Sequence, residues 1–359
     1  MSPQFWSQRR VFITGHTGFK GGWLALWLAE WGAELFGFAL EPPTTPNLFT
    51  VAHLRACFAQ DVRGDVRDQA AVTAALQAAQ PEIVLHLAAQ PLVRAGYADP
   101  VGTYAANVMG TVHLLDAVRQ CPSVRAVVIV TTDKCYDNRE WFWPYRECDA
   151  LGGHDPYSSS KAAAELVTHA YRQAFLATSG VQVASVRAGN VIGGGDWAAD
   201  RLVPDVLRAL DAGEAVSIRS PHAIRPWQHV LEPLAGYLHL AERLYVPDAA
   251  CATAWNFGPD PADAWSVEQV VRWLCEHGGG HWYTATQVGP HEAAVLNLDS
   301  AQARARLRWR PRWTVRHALD HTLRWHQAWR AGAEMQSVTR QQIRAYQASA
   351  PQYTGAALS

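Results

Sequence analysis

The sequence predicts an α/β fold, a doubly wound parallel sheet followed by a smaller C-terminal α/β substrate domain. Short apolar runs rich in Val, Ile, Phe and Ala recur through the first half without polar alternation, as strands buried on both faces require. Helical patterns separate these runs and supply the crossovers that parallel strands need. The first run leads directly into three spaced glycines that open a helix.

Taken in order, the strand candidates are RRVFITG (9–15), ELFGFAL (34–40), RACFAQDVRG (55–64), EIVLHLAA (82–89), RAVVIVTT (125–132) and VQVASVRAGN (181–190). The clearest helices are VGTYAANVMGTVHLLDAVRQC and PYSSSKAAAELVTHAYRQAF, the second with Asp155 as N-cap and Pro156 at the first helical position. Trp23, Trp27 and Trp31 recur every fourth residue and read as a stripe packing the first helix onto the sheet. After residue 190 the rhythm breaks into loop, helix PDVLRALDAG, strand AVSIRS, a loop PHAIRPWQHV and a further helix. A late strand within 252–259 is expected to return to the sheet. The expected division is a dinucleotide-binding domain over 1–189, a second domain over 190–335 and a polar tail over 336–359.

Bulk composition removes several function classes. The 31 Lys and Arg nearly cancel the 32 Asp and Glu, so no global field points to nucleic acid or an acidic membrane. The six cysteines show no C-x-x-C and no metal-ligand spacing, and read as free thiols of a cytoplasmic protein. The N-terminus lacks a signal-like apolar run, and GGWLALWLAEWG is too short to cross a bilayer. His317 and His321 stand four apart, but no third ligand is apparent, and no metal is expected. The Arg- and Trp-rich stretch near 304–326 reads as a solvated structural face.

Gly15, Gly18 and Gly21 have the G-x-x-G-x-x-G spacing that lets backbone approach a pyrophosphate, with helix N–H groups facing the anion. This makes the sheet Rossmann-type. Phe19 belongs to the same loop. Asp65 and Val66 follow the third strand, where Asp65 can reach an adenine edge, and Leu87, Ala88 and Ala89 follow the fourth, where small residues let a cofactor lie against backbone. The acid that commonly closes the second strand on the ribose is missing: its place falls near Ala39, with Glu41 two residues on. An uncompensated Arg there would argue for NADP, and none is present, so NAD is favoured.

Tyr157 and Lys161 lie one helical turn apart. A nearby ammonium favours the phenolate, which would bring the tyrosine down towards working pH as a base for a hydroxyl proton. Thr132, Asp133 and Lys134 end the fifth strand, placing an acid and an amine side by side.

These residues carry a resemblance. The glycine pattern, HLAA, PYSSSK and RAGNVIGGGDW resemble the extended short-chain dehydrogenase/reductase (NAD-dependent epimerase/dehydratase) superfamily. GHTGFKGGWLALWL, PPTTPNLF, TTDKCYDNREW, GGHDPYSSSKAAAE and AIRPWQHVLEPLAGY resemble the CDP-glucose 4,6-dehydratases within it, over roughly residues 8 to 330. The resemblance implies C4 oxidation of CDP-glucose by NAD, water loss across C5 and C6, and hydride return to C6. It gives Tyr157 and Lys161 the redox half, Thr132 a hydrogen bond to the 4-oxygen, Asp133 the general acid role and Lys134 the base role. Lys134 must be neutral for part of that cycle, which calls for a desolvated or cation-rich site. Relatives acting on dTDP-glucose carry Asp–Glu where this chain has Asp133–Lys134.

The same resemblance places Arg225, Arg201 and Asn190 at the sugar diphosphate, and leaves His291 where some relatives have an arginine. Arg219 is a third cation or a surface charge. The aromatic stretch EWFWPYRE is a lid over the sugar or a packed loop. A homodimer or higher homo-oligomer through helices near 101–120 and 157–178 is implied, and deoxysugars of surface polysaccharides are the implied destination. A C4 epimerase on the same fold, another sugar nucleotide, and a non-catalytic dinucleotide-binding regulator stay open as alternatives.

Overall fold

The structure, a computed structural model, describes residues 2–246, 250–285 and 295–351. One sheet contains β1 (Arg10–Thr14), β2 (Glu34–Ala39), β3 (Phe58–Arg63), β4 (Ile83–His86), β5 (Ala126–Val130), β6 (Gln182–Ala188) and β7 (Ala254–Phe257). Their order is β7-β6-β5-β4-β1-β2-β3 and every pairing is parallel. The winding reverses between β1 and β4, which opens a crevice at the carboxyl ends of those strands. All six early runs become strands of this sheet, and the late one joins its edge beside β6.

The longer helices are α1 (Phe19–Glu30), α2 (Gln69–Ala79), α3 (Gly110–Arg119), α4 (Pro156–Tyr171), α5 (Leu202–Ala212), α6 (Leu231–Tyr245), α7 (Val267–Gly278), α8 (Val315–Arg330) and α9 (Met335–Ala348). The missing polar alternation now has its cause. Val11, Ile13, Val128 and Val130 pack with α1 and α6, while Phe12, Val127 and Ile129 pack on the other face with α2 and α3. A third apolar core joins Val206, Leu207, Val270, Leu274 and Leu319 from α5, α7 and α8. Asp155 caps α4 by accepting from Ser158 N, with Pro156 in the first turn, as the sequence indicates.

The stretch read as a polar tail is a helix with a task. Met335, Ile343 and Tyr346 of α9 are buried in the same core as α1. The Tyr346 ring packs edge-on to Trp27 at 5.7 Å, and Arg344 Nε reaches Glu30 Oε1 at 2.5 Å. The tryptophan stripe therefore packs under a C-terminal helix as well as beside the sheet. The polar composition of α9 belongs to its outer face.

Glu232 of α6 fastens this arrangement from a fully buried position, accepting from Arg312 N at 2.9 Å, Trp313 N at 2.7 Å and Tyr346 Oη at 2.7 Å. Burial pushes its carboxyl up to about 7, against the pull of those donors. The folded chain thus keeps a proton that the unfolded chain releases near its ordinary value of 4.5. This group's contribution to stability is full below that value and is lost as pH rises through 7, a change of about 3 kcal/mol. Urea unfolding at mildly acidic and neutral pH should show this decline, and Glu232→Gln should flatten it, since the neutral amide has no proton to lose.

Candidate active site

The crevice is lined first by backbone. Gly15 has φ +74°, and a Cβ there would stand 2.7 Å from Ala88 N; one at Gly21 would stand 2.2 Å from Gly15 O. The loop is thus closed onto itself and onto the end of β4. Gly18 differs. A Cβ there would meet only Gly15 O, at 3.4 Å, so its outer side is open to the crevice at the uncapped N-terminus of α1. An open helix N-terminus without a side-chain cap fits a dinucleotide pyrophosphate.

The flanking residues complete the groove. Leu87 N and Ala88 N are held by Thr14, at 3.1 Å to its carbonyl and 3.1 Å to its hydroxyl. Ala89 lies beside them, partly exposed. Val66 is buried against α3, where a Cβ on Gly110 would strike it at 2.8 Å. Asp65 accepts from Arg67 N at 2.9 Å and from its guanidinium, which holds the carboxyl below its ordinary range. The Phe19 ring lies against Gly193, where a Cβ would stand 3.1 Å from its Cζ.

Beyond β5 the chain forms a short turn, Asp133–Cys135. Thr132 Oγ1 donates to Asp133 Oδ1 at 3.0 Å, and Lys134 Nζ lies 3.9 Å from the same oxygen. Asp133 is 1 % exposed, and its Oδ2 has no partner among the described residues. A Cβ on Gly189 would sit 3.1 Å from that oxygen, so glycine keeps the approach clear. Lys134 itself is not desolvated, since a third of its side chain is exposed.

Tyr157 and Lys161 are both buried on α4. Lys161 Nζ donates to Val130 O at 3.2 Å, and burial lowers it to about 8 although Glu165 opposes. Tyr157 departs from the expectation of a depressed phenol: burial pushes it up to about 12, with the Thr132 hydroxyl and Arg201 pulling the other way. In the protein alone the loss of water around the ring outweighs any nearby cation.

One turn beyond Lys161, buried Glu165 bonds Arg187 Nη2 at 2.8 Å, Ser185 Oγ at 2.6 Å and the Thr131 hydroxyl. Burial alone would raise its carboxyl, but Arg187 and the two hydroxyls hold it below the ordinary range. The network ties α4 to β6 and to Thr131, the residue before Thr132. Glu165→Ala would leave Arg187 buried and uncompensated, a loss of about 3–5 kcal/mol readable by chemical denaturation.

The residues expected at the sugar diphosphate follow the sheet in sequence. Arg201 Nη1 pairs with Asp196 Oδ2 at 2.8 Å and lies within electrostatic reach of Tyr157. Arg225 is buried, with Nη1 donating to Ile224 O at 2.9 Å. Asn190 Oδ1 is buried without a partner among the described residues. Arg219 is exposed, and His291 lies outside the described residues. In the aromatic stretch, Tyr145 is buried and stacks on Tyr136 at 5.1 Å, while Phe142 and Trp143 face outward.

Two residues escape a reading of the sequence. Lys20 lies between Gly18 and Gly21 at the start of α1, partly buried. Burial, then Arg201, Lys161 and Lys134, lower it to about 7, with Asp133 opposing. Asn107 sits in a π-turn (Ala105–Met109) before α3, where its amide bonds Ser160 Oγ at 2.9 Å and Gln90 O at 3.1 Å. Lys20 could have been noticed as a lysine where the loop meets a phosphate. No sequence signal marks the π-turn.

A sheet wound in this order, with a dinucleotide cradle at its switch point and a Tyr-x-x-x-Lys helix after β5, defines an extended short-chain dehydrogenase/reductase. Residues 12–322 match the GDP-mannose 4,6 dehydratase family, and the chain belongs to that family. A CDP-glucose 4,6-dehydratase from Salmonella typhimurium is 49% identical over 353 residues, spanning 96% of this chain and 98% of that protein. Among solved structures, MoeE5 in complex with UDP-glucuronic acid and NAD superposes with a TM-score of 0.74 at 25% identity, over 88% of this chain and 98% of that one. DesIV, a dTDP-glucose 4,6-dehydratase from Streptomyces venezuelae, gives 0.75 at 23% identity over 91% and 99%, a likeness of fold.

Proposed function

We infer that this chain is an NAD-dependent hydro-lyase that converts CDP-D-glucose to CDP-4-dehydro-6-deoxy-D-glucose. The observation carrying this reading is the 49% identity to a CDP-glucose 4,6-dehydratase across nearly both whole chains, joined to an acid and an amine 3.9 Å apart at the tip of β5. Bound in this groove, NAD would supply the hydride acceptor for C4 and the hydride donor for C6. The pyrophosphate would rest over Gly18, with Gly15, Gly21, Phe19, Asp65, Val66, Leu87, Ala88 and Ala89 lining its groove.

Tyr157 is the base for the C4 hydroxyl proton, and Thr132 orients that oxygen. Lys161, held against Val130 O, keeps positive charge beside the phenol. Once C4 is a ketone, the C5 proton is acidified, and the amine at the tip of β5 stands beside the acid to take it. Lys134 is that amine. Asp133, with Oδ2 unclaimed, delivers a proton to the departing C6 hydroxyl. Arg201, Arg225, Asn190 and Lys20 form the wall for the substrate diphosphate, whose charges would meet a cation-rich cleft.

Exposed Val101, Tyr104, Met109 and Leu166 on the helices around α3 and α4 favour a homodimer through that face. Six cysteines without C-x-x-C or metal-ligand spacing favour a cytoplasmic setting, and the product class favours deoxysugars of surface polysaccharides such as O-antigen. Among the described residues no helix is long and apolar enough to cross a membrane. Incubation with NAD and CDP-, dTDP-, UDP- or GDP-glucose tests the reading. A 4-keto product is expected from the cytidine donor, and turnover of only another donor would overturn the substrate.

A further inference from the structure

The strand end where a ribose-binding acid is usual holds Ala39, and its register partner on β3 is Arg63. The glycine loop meets the same strand end, with Gly15 N donating to Phe38 O at 2.9 Å and Thr17 Oγ1 to Leu40 O at 3.0 Å. A ribose attached to a pyrophosphate over Gly18 is therefore directed at Ala39, Glu41 and Arg63. A guanidinium at this point suits a 2′-phosphate.

Here the guanidinium is claimed by two carboxylates. Arg63 Nη1 bonds Asp61, Nε donates to Glu41 Oε2 at 3.1 Å, and the group lies 4.9 Å above the Phe49 ring. Asp61 is fixed in turn by His16 Nε2 at 2.7 Å and Arg55 Nε at 3.3 Å. His16 cannot shift easily, since it fills the space over Gly37, where a Cβ would meet its ring at 2.6 Å. Glu41 is the opposite case. Its side chain is 77% exposed, so its pairing with Arg63 contributes little to folding and leaves it able to turn to a ligand.

We propose that Glu41 and Arg63 together read the 2′ position of the adenosine ribose. Glu41 accepts hydrogen bonds from the ribose hydroxyls and, by standing against Arg63, bars a 2′-phosphate. A loop acid and a compensated arginine thus replace the strand-end acid that the chain lacks. The proposal rests on the NAD dependence given above and deepens it.

Calorimetric titration of the full chain with NAD and NADP tests it, alongside Glu41→Ala and the double variant Glu41→Ala with Arg63→Ala. The wild type should favour NAD by about tenfold or more, and Glu41→Ala should weaken NAD and tighten NADP, each by about three- to tenfold. The double variant should lose the gain for NADP, because the released guanidinium is what binds the phosphate. Thermal unfolding without nucleotide should not move for Glu41→Ala. An unchanged preference in that variant, with NAD still bound by the wild type, would overturn the proposal alone. A wild type that binds neither nucleotide would overturn the cofactor reading beneath it.

Discussion

Lys134→Ala protein mixed with CDP-glucose and NAD is expected to form enzyme-bound NADH and then stall. Proton abstraction at C5 follows hydride loss at C4, so removing the amine blocks the second step while leaving the first. The expected loss of keto-sugar product is about 10²–10⁴-fold, the usual reach of a positioned general base. Stopped-flow absorbance separates the two steps, because NADH rises in a single turnover and does not decay. Lys134 is partly exposed and its contact with Asp133 is long, so the substitution should leave the fold intact. If NADH rose and decayed normally, another group would be the base. If an epimer appeared in place of the keto sugar, the site would be an epimerase.

Tyr157→Phe should fail one step earlier. Without the phenol the C4 hydroxyl keeps its proton, and NADH formation should fall by about 10²–10⁴-fold together with product. The pH dependence follows from the phenol's position at about 12 in the protein alone. At neutral pH its basic form is a minority that grows as pH rises. Single-turnover NADH formation in the wild type should therefore rise between about pH 6 and 8, and the phenylalanine variant should lose that rise. A flat profile in the wild type would mean that a different base acts at C4.

The two variants separate because their residues stand on different elements, Lys134 on the tip of β5 and Tyr157 on α4. That separation was legible in the sequence, as was the sheet. Runs such as AVVIV lack alternation because helices cover both faces, and this shows in composition alone. What stayed hidden depends on neighbours far along the chain. The α9 helix looked like a polar tail because only Met335, Ile343, Tyr346 and a few others turn inward, onto tryptophans more than three hundred residues away. Tyr157 was expected to be depressed by Lys161, a neighbour one turn away. Its burial, which decides the direction, is set by tertiary packing. Lys20 gains its character from Arg201, Lys161 and Lys134, which approach it only once the sheet is wound. Arg63 could not be assigned to the ribose end without the β2–β3 register.

The most direct test follows a deuterium label placed on C4 of CDP-glucose, with NMR of the product formed in ordinary water. The label should appear at C6 of CDP-4-dehydro-6-deoxy-glucose, and C5 should carry a solvent proton. A label retained at C4, or lost to water with none at C6, would contradict a hydride removed and returned within one site.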